Sequence, residues 1–476
     1  MSISFETLGN ATIMVFQDGE PVLATDPWMV GTAYFGSWAL ERPLTQDQIN
    51  NIKKCKYIWF SHGHPDHLHT DSVDMLPRTI ELLVPDLYNS DIPSHLREMG
   101  FTVRVLKYRE WLPATDKVRI CCLDNINQDA ILAIDTPDGI IINKNDSPLC
   151  GELGFLRNLI KKHPRNRAYL TALYSGGADM MNIVDASGQR IIAPPQDFEI
   201  GKAMKIAREA ERLGVGSFCC SSAQHVYARA DTLWANEYGM DWRTLEKYWN
   251  RPDVRLIRPF VTINMSSGEV TYNDSGADTI PEGIDRTGDD DWNEKPDEAD
   301  WNRISDFFLK FETLRDDVDI IAVTIGGERR DFTLNPSVRA VPKEKLRIVH
   351  FTAPRKSFME TITWGYFDDM LIGNFMKTEL VNVTLYPNFS PKIAKYGGNA
   401  KIFTNQDMAK FRWHYLSRNP GVYLSMTLSA WFENTVVDGM RKLTERLGVK
   451  PFFKWIYRKA IGDLTPLGAD LWREKK

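Results

Sequence analysis

The chain lacks long apolar runs and any excess of positive charge. No stretch of its 476 residues approaches the roughly 18 consecutive apolar residues that cross a bilayer, and its first residues lack the basic and apolar segments of a signal peptide. Lysine and arginine total 58 against 63 aspartates and glutamates, which gives a formal charge of −5. We therefore expect a cytoplasmic protein with neither a membrane nor a nucleic-acid partner.

Cysteine is also scarce. The six cysteines form two adjacent pairs, at 121–122 and 219–220, and two single residues, Cys55 and Cys150. No C-x-x-C spacing occurs, which excludes the common zinc-ribbon and redox motifs. Neighbouring residues on a strand face opposite ways, so we expect buried thiols rather than a disulfide within either pair.

The length and the order of the patterns predict two domains and a connection. Apolar strand-like runs with helical segments between them predict an α/β domain over residues 1–260. The segment 285–300 is strongly acidic and contains proline and glycine, so we expect a linker or solvated loop within 261–300. An amphipathic pattern at 304–314, followed by further strand-like runs, predicts an α+β C-terminal domain over 301–476.

Two local signals within the first domain are clear. Asp18-Gly19 stands between two apolar runs, which predicts a tight β-hairpin. Residues 57–60 form a wholly apolar run that is typical of a strand buried on both faces. This strand leads directly into a segment rich in histidine.

Histidine is rare but concentrated. Only nine histidines occur, and four of them lie within eight residues, in the segment Ser61-His-Gly-His-Pro-Asp-His-Leu-His69. His62 and His64 are two residues apart, so on an extended segment both imidazoles face the same way and can bind one metal ion. After the turn at Pro65, Asp66 and His67 can serve a second ion. Imidazole and carboxylate together suit zinc, iron or manganese.

This H-x-H-x-D-H motif resembles the first metal motif of the metallo-β-lactamase superfamily. Segments 8–12 and 25–28 are similar to the opening hairpin of its phospholipase-D-like and lactonase-like branches. The resemblance implies an αββα sandwich with a dinuclear site at one edge of the sheets. It also implies a further histidine, then a bridging aspartate, then a last histidine downstream.

Only part of that downstream set is present. Asp146 ends an apolar strand and matches the bridging aspartate, and His225 matches the last histidine. The middle histidine is missing, because none lies between His95 and His163. Asp124, at the end of an apolar strand, is the first candidate to replace it, and Asp129 is the second. A carboxylate there favours iron or manganese over zinc.

A second resemblance points toward oxygen chemistry. Segments 143–146, 175–178 and 225–236 are similar to the cytidine monophosphate-N-acetylneuraminate hydroxylase group. That group carries a Rieske iron–sulfur domain, whose C-x-H and C-x-x-H pairs this chain lacks, so electrons would come from a separate protein. A diiron β-hydroxylase branch of the superfamily also has a carboxylate in place of the middle histidine.

The remaining candidates are weaker. Ser175, Tyr227 and Arg229 are candidate substrate-binding residues, and the last two are equally consistent with ordinary structural roles. We interpret His69 as a residue outside the metal shell, and the isolated His350 and His414 as structural.

Three hypotheses follow, and they belong to different classes. The first is a dinuclear non-haem iron oxygenase that hydroxylates or N-oxygenates a polar small molecule with O₂. Its metal ligands are His62, His64, Asp66, His67, Asp124, Asp146 and His225, and Asp66 and Asp146 are also its catalytic carboxylates. The second is a binuclear zinc hydrolase of a phosphodiester, lactone or amide. The third is an inactive metal-binding scaffold whose C-terminal region binds lipid or a partner protein.

Overall fold

The computed structural model describes residues 2–174, 180–191, 196–239, 241–273, 283–286, 289–385 and 389–432. The strands are β1 (Ile3–Leu8), β2 (Thr12–Gln17), β3 (Glu20–Thr25), β4 (Thr32–Ala33), β5 (Trp38–Leu40), β6 (Tyr57–Trp59), β7 (Glu81–Pro85), β8 (Thr102–Leu106), β9 (Trp111–Pro113), β10 (Arg119–Asp124), β11 (Ala130–Thr136), β12 (Gly139–Asn145), β13 (Ala168–Ala172), β14 (Ile183–Val184), β15 (Ser217–Cys220), β16 (His225–Tyr227), β17 (Arg255–Ile257), β18 (Val261–Asn264), β19 (Val270–Tyr272), β20 (Ile320–Ile325), β21 (Glu328–Thr333), β22 (Ile348–Thr352) and β23 (Lys377–Val381).

The helices lie between these strands and after them. They are α1 (Gln46–Lys54), α2 (Thr70–Asp74), α3 (Ile92–Glu98), α4 (Leu153–Ile160), α5 (Gln196–Leu213), α6 (Trp242–Tyr248), α7 (Glu298–Leu309), α8 (Arg355–Trp364), α9 (Asp368–Ile372), α10 (Asn405–Arg418) and α11 (Pro420–Phe432). A π-helical segment spans Lys392–Asn399. Within the described part of the chain, none of the helices combines the length and apolar character needed to cross a membrane.

Two large sheets face each other and enclose the main core. The first has the order β19-β18-β1-β2-β3-β6-β7-β8, and the second has the order β17-β15-β13-β12-β11-β10-β9. Their inner faces share one apolar cluster, in which the rings of Phe5 and Tyr169 meet edge to face at 5.2 Å between centroids. Alternating side chains point inward because successive residues on a strand face opposite ways.

Helices cover both outer faces of this pair of sheets. Ile52 of α1, Val73 of α2 and Leu96 of α3 pack on the first sheet, whereas Leu156 of α4, Ala210 of α5 and Leu245 of α6 pack on the second. The layers therefore run helix, sheet, sheet, helix. This confirms the αββα arrangement that the sequence resemblance implies.

Two smaller expectations are confirmed in detail. The hairpin between β2 and β3 turns at Asp18 and Gly19, whose φ angles of 54° and 87° are the left-handed values that such a turn requires. All six cysteines are free, and five of them are buried. Cys122 packs in the inner cluster and Cys121 in the outer one, so neighbouring thiols lie on opposite faces of the second sheet.

The C-terminal region forms a third, five-stranded sheet of order β14-β23-β22-β20-β21, packed against helices α7 to α9. Strand β14 belongs to the first half of the chain and pairs in parallel with β23, so the two halves interlock. This is the additional α+β region that the sequence predicts. The division of the chain into independent domains stays a prediction.

The segment 261–300, expected to be a linker, contains ordered structure. Strands β18 and β19 extend the first sheet beyond β1, so that sheet continues past residue 260. Farther along, Asp290 is only 1% exposed, and Asp297 caps α7 through a capping box with Asp300. The acidic composition of this segment therefore reflects caps and buried ion pairs as well as solvated loop.

We predict that the interface between the two large sheets dominates the stability of the fold. Leu132, wholly buried on β11, should lose about 2–5 kcal/mol of unfolding free energy when changed to alanine, because the substitution leaves a cavity. Leu112→Ala, at a half-buried position of β9 against the same cluster, should lose about 1 kcal/mol or less. Urea unfolding measures both, and equal losses would contradict this account.

Candidate metal centre

The ends of parallel strands create the site. Strands β3, β6 and β7 run parallel in the first sheet, and β12, β13 and β15 run parallel in the second. The histidine motif follows β6, Asp26 follows β3 and Asp146 follows β12. Because the carboxyl ends of parallel strands lie at the same edge of a sheet, these residues meet at one edge of the sandwich.

His62 and His64 converge as their spacing predicts. Nε2 of His62 lies 2.8 Å from Nδ1 of His64, so both rings direct one nitrogen toward the same point. Burial, together with the nearby His67 and His64, holds the pKa of His62 well below its ordinary value. Burial acts in the same direction on His64, but a hydrogen bond to Asp368 outweighs it and raises the pKa of His64 to about 9.

His67 is the most enclosed member of the cluster. Its Nε2 lies 3.3 Å from Asp66 Oδ2 and 3.4 Å from Asp146 Oδ2, and its Nδ1 lies 3.2 Å from Asp26 Oδ2. Burial alone would lower the pKa of His67, but the charges of Asp66 and Asp146 hold it well above the ordinary value. The carboxylates around His67 therefore favour the charged imidazolium form of its ring.

Asp66 is fixed by neutral donors as well as by histidine. The Tyr34 hydroxyl donates to Asp66 Oδ1 at 2.6 Å, and the Asn10 amide donates to Oδ2 at 2.9 Å. Burial would raise the pKa of Asp66, but the charges of His67 and His64 and these hydrogen bonds hold it below its ordinary value. The carboxylate is thus ionised and held in one orientation.

Asp146 and His225 complete the group. Ser222 donates to Asp146 Oδ1 at 2.5 Å. His225 begins β16 and stacks flat on Trp38, with ring centroids 3.5 Å apart. Burial lowers the pKa of His225 to about 4, while the charges of Asp66 and Asp146 act against that shift. The ring of His225 is therefore neutral and able to act as a ligand, and it lies close to both carboxylates.

The structure separates the two candidates for the place of the missing histidine. Asp129 Oδ1 lies 3.3 Å from His62 Nδ1, and burial together with the Asp146 charge raises the pKa of Asp129 to about 7. Asp124 instead forms a buried ion pair with Arg418 of α10, a residue 294 positions away. The structure therefore brings Asp129, the second candidate, to the histidine motif, and it gives Asp124 a different partner.

Two aspartates from the C-terminal region lie at the site, and no sequence pattern points to them. Asp368, at the start of α9, accepts a hydrogen bond from His64 Nε2 at 2.9 Å. Asp369 follows it and forms, with His64 and Asp368, a group whose ligand atoms lie within 4.8 Å of one another. Neither residue stands in a recognisable motif, and only the folded chain brings them to His64.

The described residues fit a bound metal. His62, His67 and Asp146 form a second group with ligand atoms within 4.8 Å of one another. His225 Nδ1 is buried and has no hydrogen-bond partner, although buried polar atoms normally have one, and His67 Nε2 has only its two ion pairs with Asp66 and Asp146. Imidazole and carboxylate donors that converge in this way are the donor set of zinc, iron and manganese sites.

Two of the three candidate substrate-binding residues have structural partners. Ser175 falls outside the described residues. The Tyr227 hydroxyl accepts a hydrogen bond from Asn374 at 2.9 Å. Arg229 is 1% exposed, donates to Asp231 and Asp290, and lies over the ring of Phe375. The contacts of Tyr227 and Arg229 join the first half of the chain to the C-terminal region.

The other histidines have structural partners. His69 caps α2 and stacks on Trp28, and its Nε2 lies 3.1 Å from the carbonyl of Thr32. His350 bridges Thr324 and Glu379 within the C-terminal sheet. His414 packs edge to face on Tyr88. These contacts agree with their expected roles outside the metal shell.

The described sheets and helices form the αββα layers of a metallo-β-lactamase fold, with a histidine–aspartate cluster at one edge. No family model matches the chain. An 87-residue stretch is 29% identical to the cytidine monophosphate-N-acetylneuraminic acid hydroxylase of Asterias rubens, over 18% of this chain and 12% of that protein. The enzyme of the same name from Danio rerio is 23% identical over 28% of this chain and 24% of its own length. The matched stretches therefore span a small part of these relatives.

Solved structures of low similarity include hydrolases and one hydroxylase. Igni18, a metallo hydrolase from Ignicoccus hospitalis, aligns with a TM-score of 0.36 and 13% identity, over 56% of this chain and 98% of its own. CmlA, a diiron β-hydroxylase from Streptomyces venezuelae, aligns with a TM-score of 0.34 and 14% identity, over 55% and 54% of the two chains. These likenesses are weak, and the fold assignment rests on the sheets themselves.

Arg229 offers a test of structural against substrate-binding roles. We predict that Arg229→Ala lowers the free energy of unfolding by about 3–5 kcal/mol, because it leaves the wholly buried Asp290 without its counter-charge. Arg165→Ala, which removes an exposed pair with Asp253, should change it by less than about 1 kcal/mol. Urea unfolding measures both. A variant of Arg229 with unchanged stability would favour a substrate-binding role instead.

Proposed function

We propose that this chain is a metal-dependent oxygenase with a dinuclear iron site, which hydroxylates or N-oxygenates a polar small molecule. The observation that carries the proposal is the buried convergence of His62, His64, Asp66, His67, Asp146 and His225 at one edge of the sandwich. The buried His225 Nδ1, which has no hydrogen-bond partner, supports metal binding in particular.

The residues divide into two sets around a shared carboxylate. His62 and His64 would hold one ion, while Asp66, His67 and His225 would hold the other, with Asp146 between them. Bound iron would supply the electrons and the open coordination positions that O₂ activation needs. Zinc or manganese remain the alternative metals for the same donors.

The protein's own residues supply orientation and exclusion of water. Tyr34 and Asn10 hold Asp66, Ser222 holds Asp146, and Trp38 holds the ring of His225. Most of these groups are buried, but the side chains of His64 and Asp146 are 19% and 17% exposed. We infer that substrate approaches from the side of the site on which these two residues lie.

Iron is favoured over zinc because the third imidazole of the first ion is absent. No histidine lies between His95 and His163, and the structure brings the carboxylate of Asp129 within 3.3 Å of His62. Oxygen-rich donor sets suit iron and manganese better than sets rich in imidazole. The short match to two hydroxylases agrees with this direction, and the missing Rieske motif implies a separate electron-donor protein.

Metal content and O₂ consumption test the proposal together. Protein purified from iron-supplemented cells should contain close to two iron ions per chain and consume O₂ when a chemical reductant is supplied. His67→Ala should lose both, because it removes a buried ligand. Elemental analysis, the visible spectrum and an oxygen electrode provide the readouts. Protein that holds only zinc and consumes no O₂ would overturn the proposal.

A binuclear zinc hydrolase is the second candidate, and the same fold and donors support it. In that case the metal ions would lower the pKa of a bound water and generate the nucleophile. Turnover of a generic phosphodiester or lactone by zinc-loaded protein, abolished by His67→Ala, would favour the hydrolase over the oxygenase.

Asp129 and Asp124 are expected to separate metal binding from stability. Asp129→Asn should weaken metal binding about 10–100-fold, because the Asp129 carboxylate lies 3.3 Å from the outer nitrogen of His62, which Ser61 Oγ also contacts at 2.9 Å. Asp124→Asn should leave metal content unchanged and lower the free energy of unfolding by about 1–3 kcal/mol, because it weakens the ion pair with Arg418. Chelator competition and urea unfolding distinguish them. If Asp124→Asn lost metal and Asp129→Asn lost only stability, Asp124 rather than Asp129 would serve the metal site.

A further inference from the structure

Each histidine of the motif has a carboxylate at the nitrogen that faces away from the convergence point. His62 Nδ1 faces Asp129 at 3.3 Å, His67 Nδ1 faces Asp26 at 3.2 Å, and His64 Nε2 faces Asp368 at 2.9 Å. Metal-bound histidines commonly donate the other ring N–H to a carboxylate, which fixes the tautomer and the ring orientation. Asp26 and Asp129 belong to the sandwich, whereas Asp368 comes from 304 residues farther along the chain.

We propose that Asp368 is a positioning residue that fixes His64 with Nδ1 toward the metal, so that the C-terminal region completes the metal centre. The inference rests on the proposed function in one respect, the presence of a metal between His62 and His64. The geometry that supports it is independent of the metal's identity. His64 Nε2 donates to Asp368, which leaves only Nδ1, 2.8 Å from His62 Nε2, to bind an ion.

The surrounding protein encloses the side chain of Asp368. Its side chain is 4% exposed, and its second oxygen, Oδ1, is buried without a hydrogen-bond partner. A methyl group added at Gly398, in the π-helical segment, would lie 3.2 Å from that oxygen, so backbone packs closely behind it. A buried carboxylate with one unpartnered oxygen is unfavourable by itself, and the bond to His64 supplies a reason for its presence.

The end of α9 is anchored to the sandwich next to the site. Ser37 donates to the carbonyl of Gly373 at 2.6 Å, and Asn374 donates to the hydroxyl of Tyr227, two residues after His225. Asn374 also accepts from the backbone of Met181 and Asn182. These bonds fix the position of α9, and therefore of Asp368, relative to the strands that carry the candidate ligands.

Metal affinity of the full-length chain tests the proposal. Metal-free protein is titrated with Zn²⁺ in competition with a chromophoric chelator, for the wild type, Asp368→Asn and Asp319→Asn. Asp319 is the matched control, because it is equally buried in the C-terminal region and pairs with Arg347 rather than with a histidine of the motif. We expect Asp368→Asn to weaken Zn²⁺ binding about 10–100-fold and Asp319→Asn to leave the affinity within about twofold of the wild type.

Nitrogen-15 NMR of the histidine rings in the zinc-loaded protein gives a second readout. In the wild type, His64 should bind zinc through Nδ1 and retain a slowly exchanging Nε2–H, and Asp368→Asn should abolish that protection. Zinc bound through His64 Nε2, or equal affinities for the wild type and Asp368→Asn, would overturn the role of Asp368. A wild type that binds no metal at all would instead refute the proposed function, so the two failures are distinguishable.

Discussion

The buried ring of His67, held between carboxylates on both edges, is the interaction on which the site depends. Asp26 lies at its Nδ1, and Asp66 and Asp146 lie at its Nε2. These carboxylates come from three strand ends, two in the first sheet and one in the second. Bringing them together out of water is unfavourable unless positive charge lies among them. A charged His67 ring, which the neighbouring carboxylates favour, or a bound cation would meet that need.

This charge balance explains why the two sheets must be in register at this edge. A shift of one residue on β12 would turn Asp146 away from the site, because side chains alternate along a strand. The largely apolar pairing of β11, β12 and β13 opposes such a shift, since it would move buried isoleucines out of their clusters. The hydrophobic core therefore fixes the position of the metal ligands as well as the fold.

The sequence predicted the parts of the site that depend on local spacing or on strand ends. The H-x-H-x-D-H order placed His62, His64, Asp66 and His67, and the ends of apolar strands indicated Asp146. The choice between Asp124 and Asp129 could not be made in that way, because both lie at the same hairpin. It depends on Arg418, which approaches from 294 residues away and pairs with Asp124. The role of Asp26 could not be predicted either, because no sequence spacing marks a carboxylate that orients a metal ligand.

The C-terminal region brings both positive and negative charge to the site, so residues outside the sandwich belong to the candidate centre. Through Arg418 it engages Asp124 and Asp86, two carboxylates at the ends of strands β10 and β7. Through Asp368 it adds a carboxylate to the histidine motif. Arg418 thus adds positive charge at the β10 end, and Asp368 adds negative charge beside His64. Because both residues lie beyond residue 260, the candidate metal centre draws on the C-terminal region as well as on the sandwich.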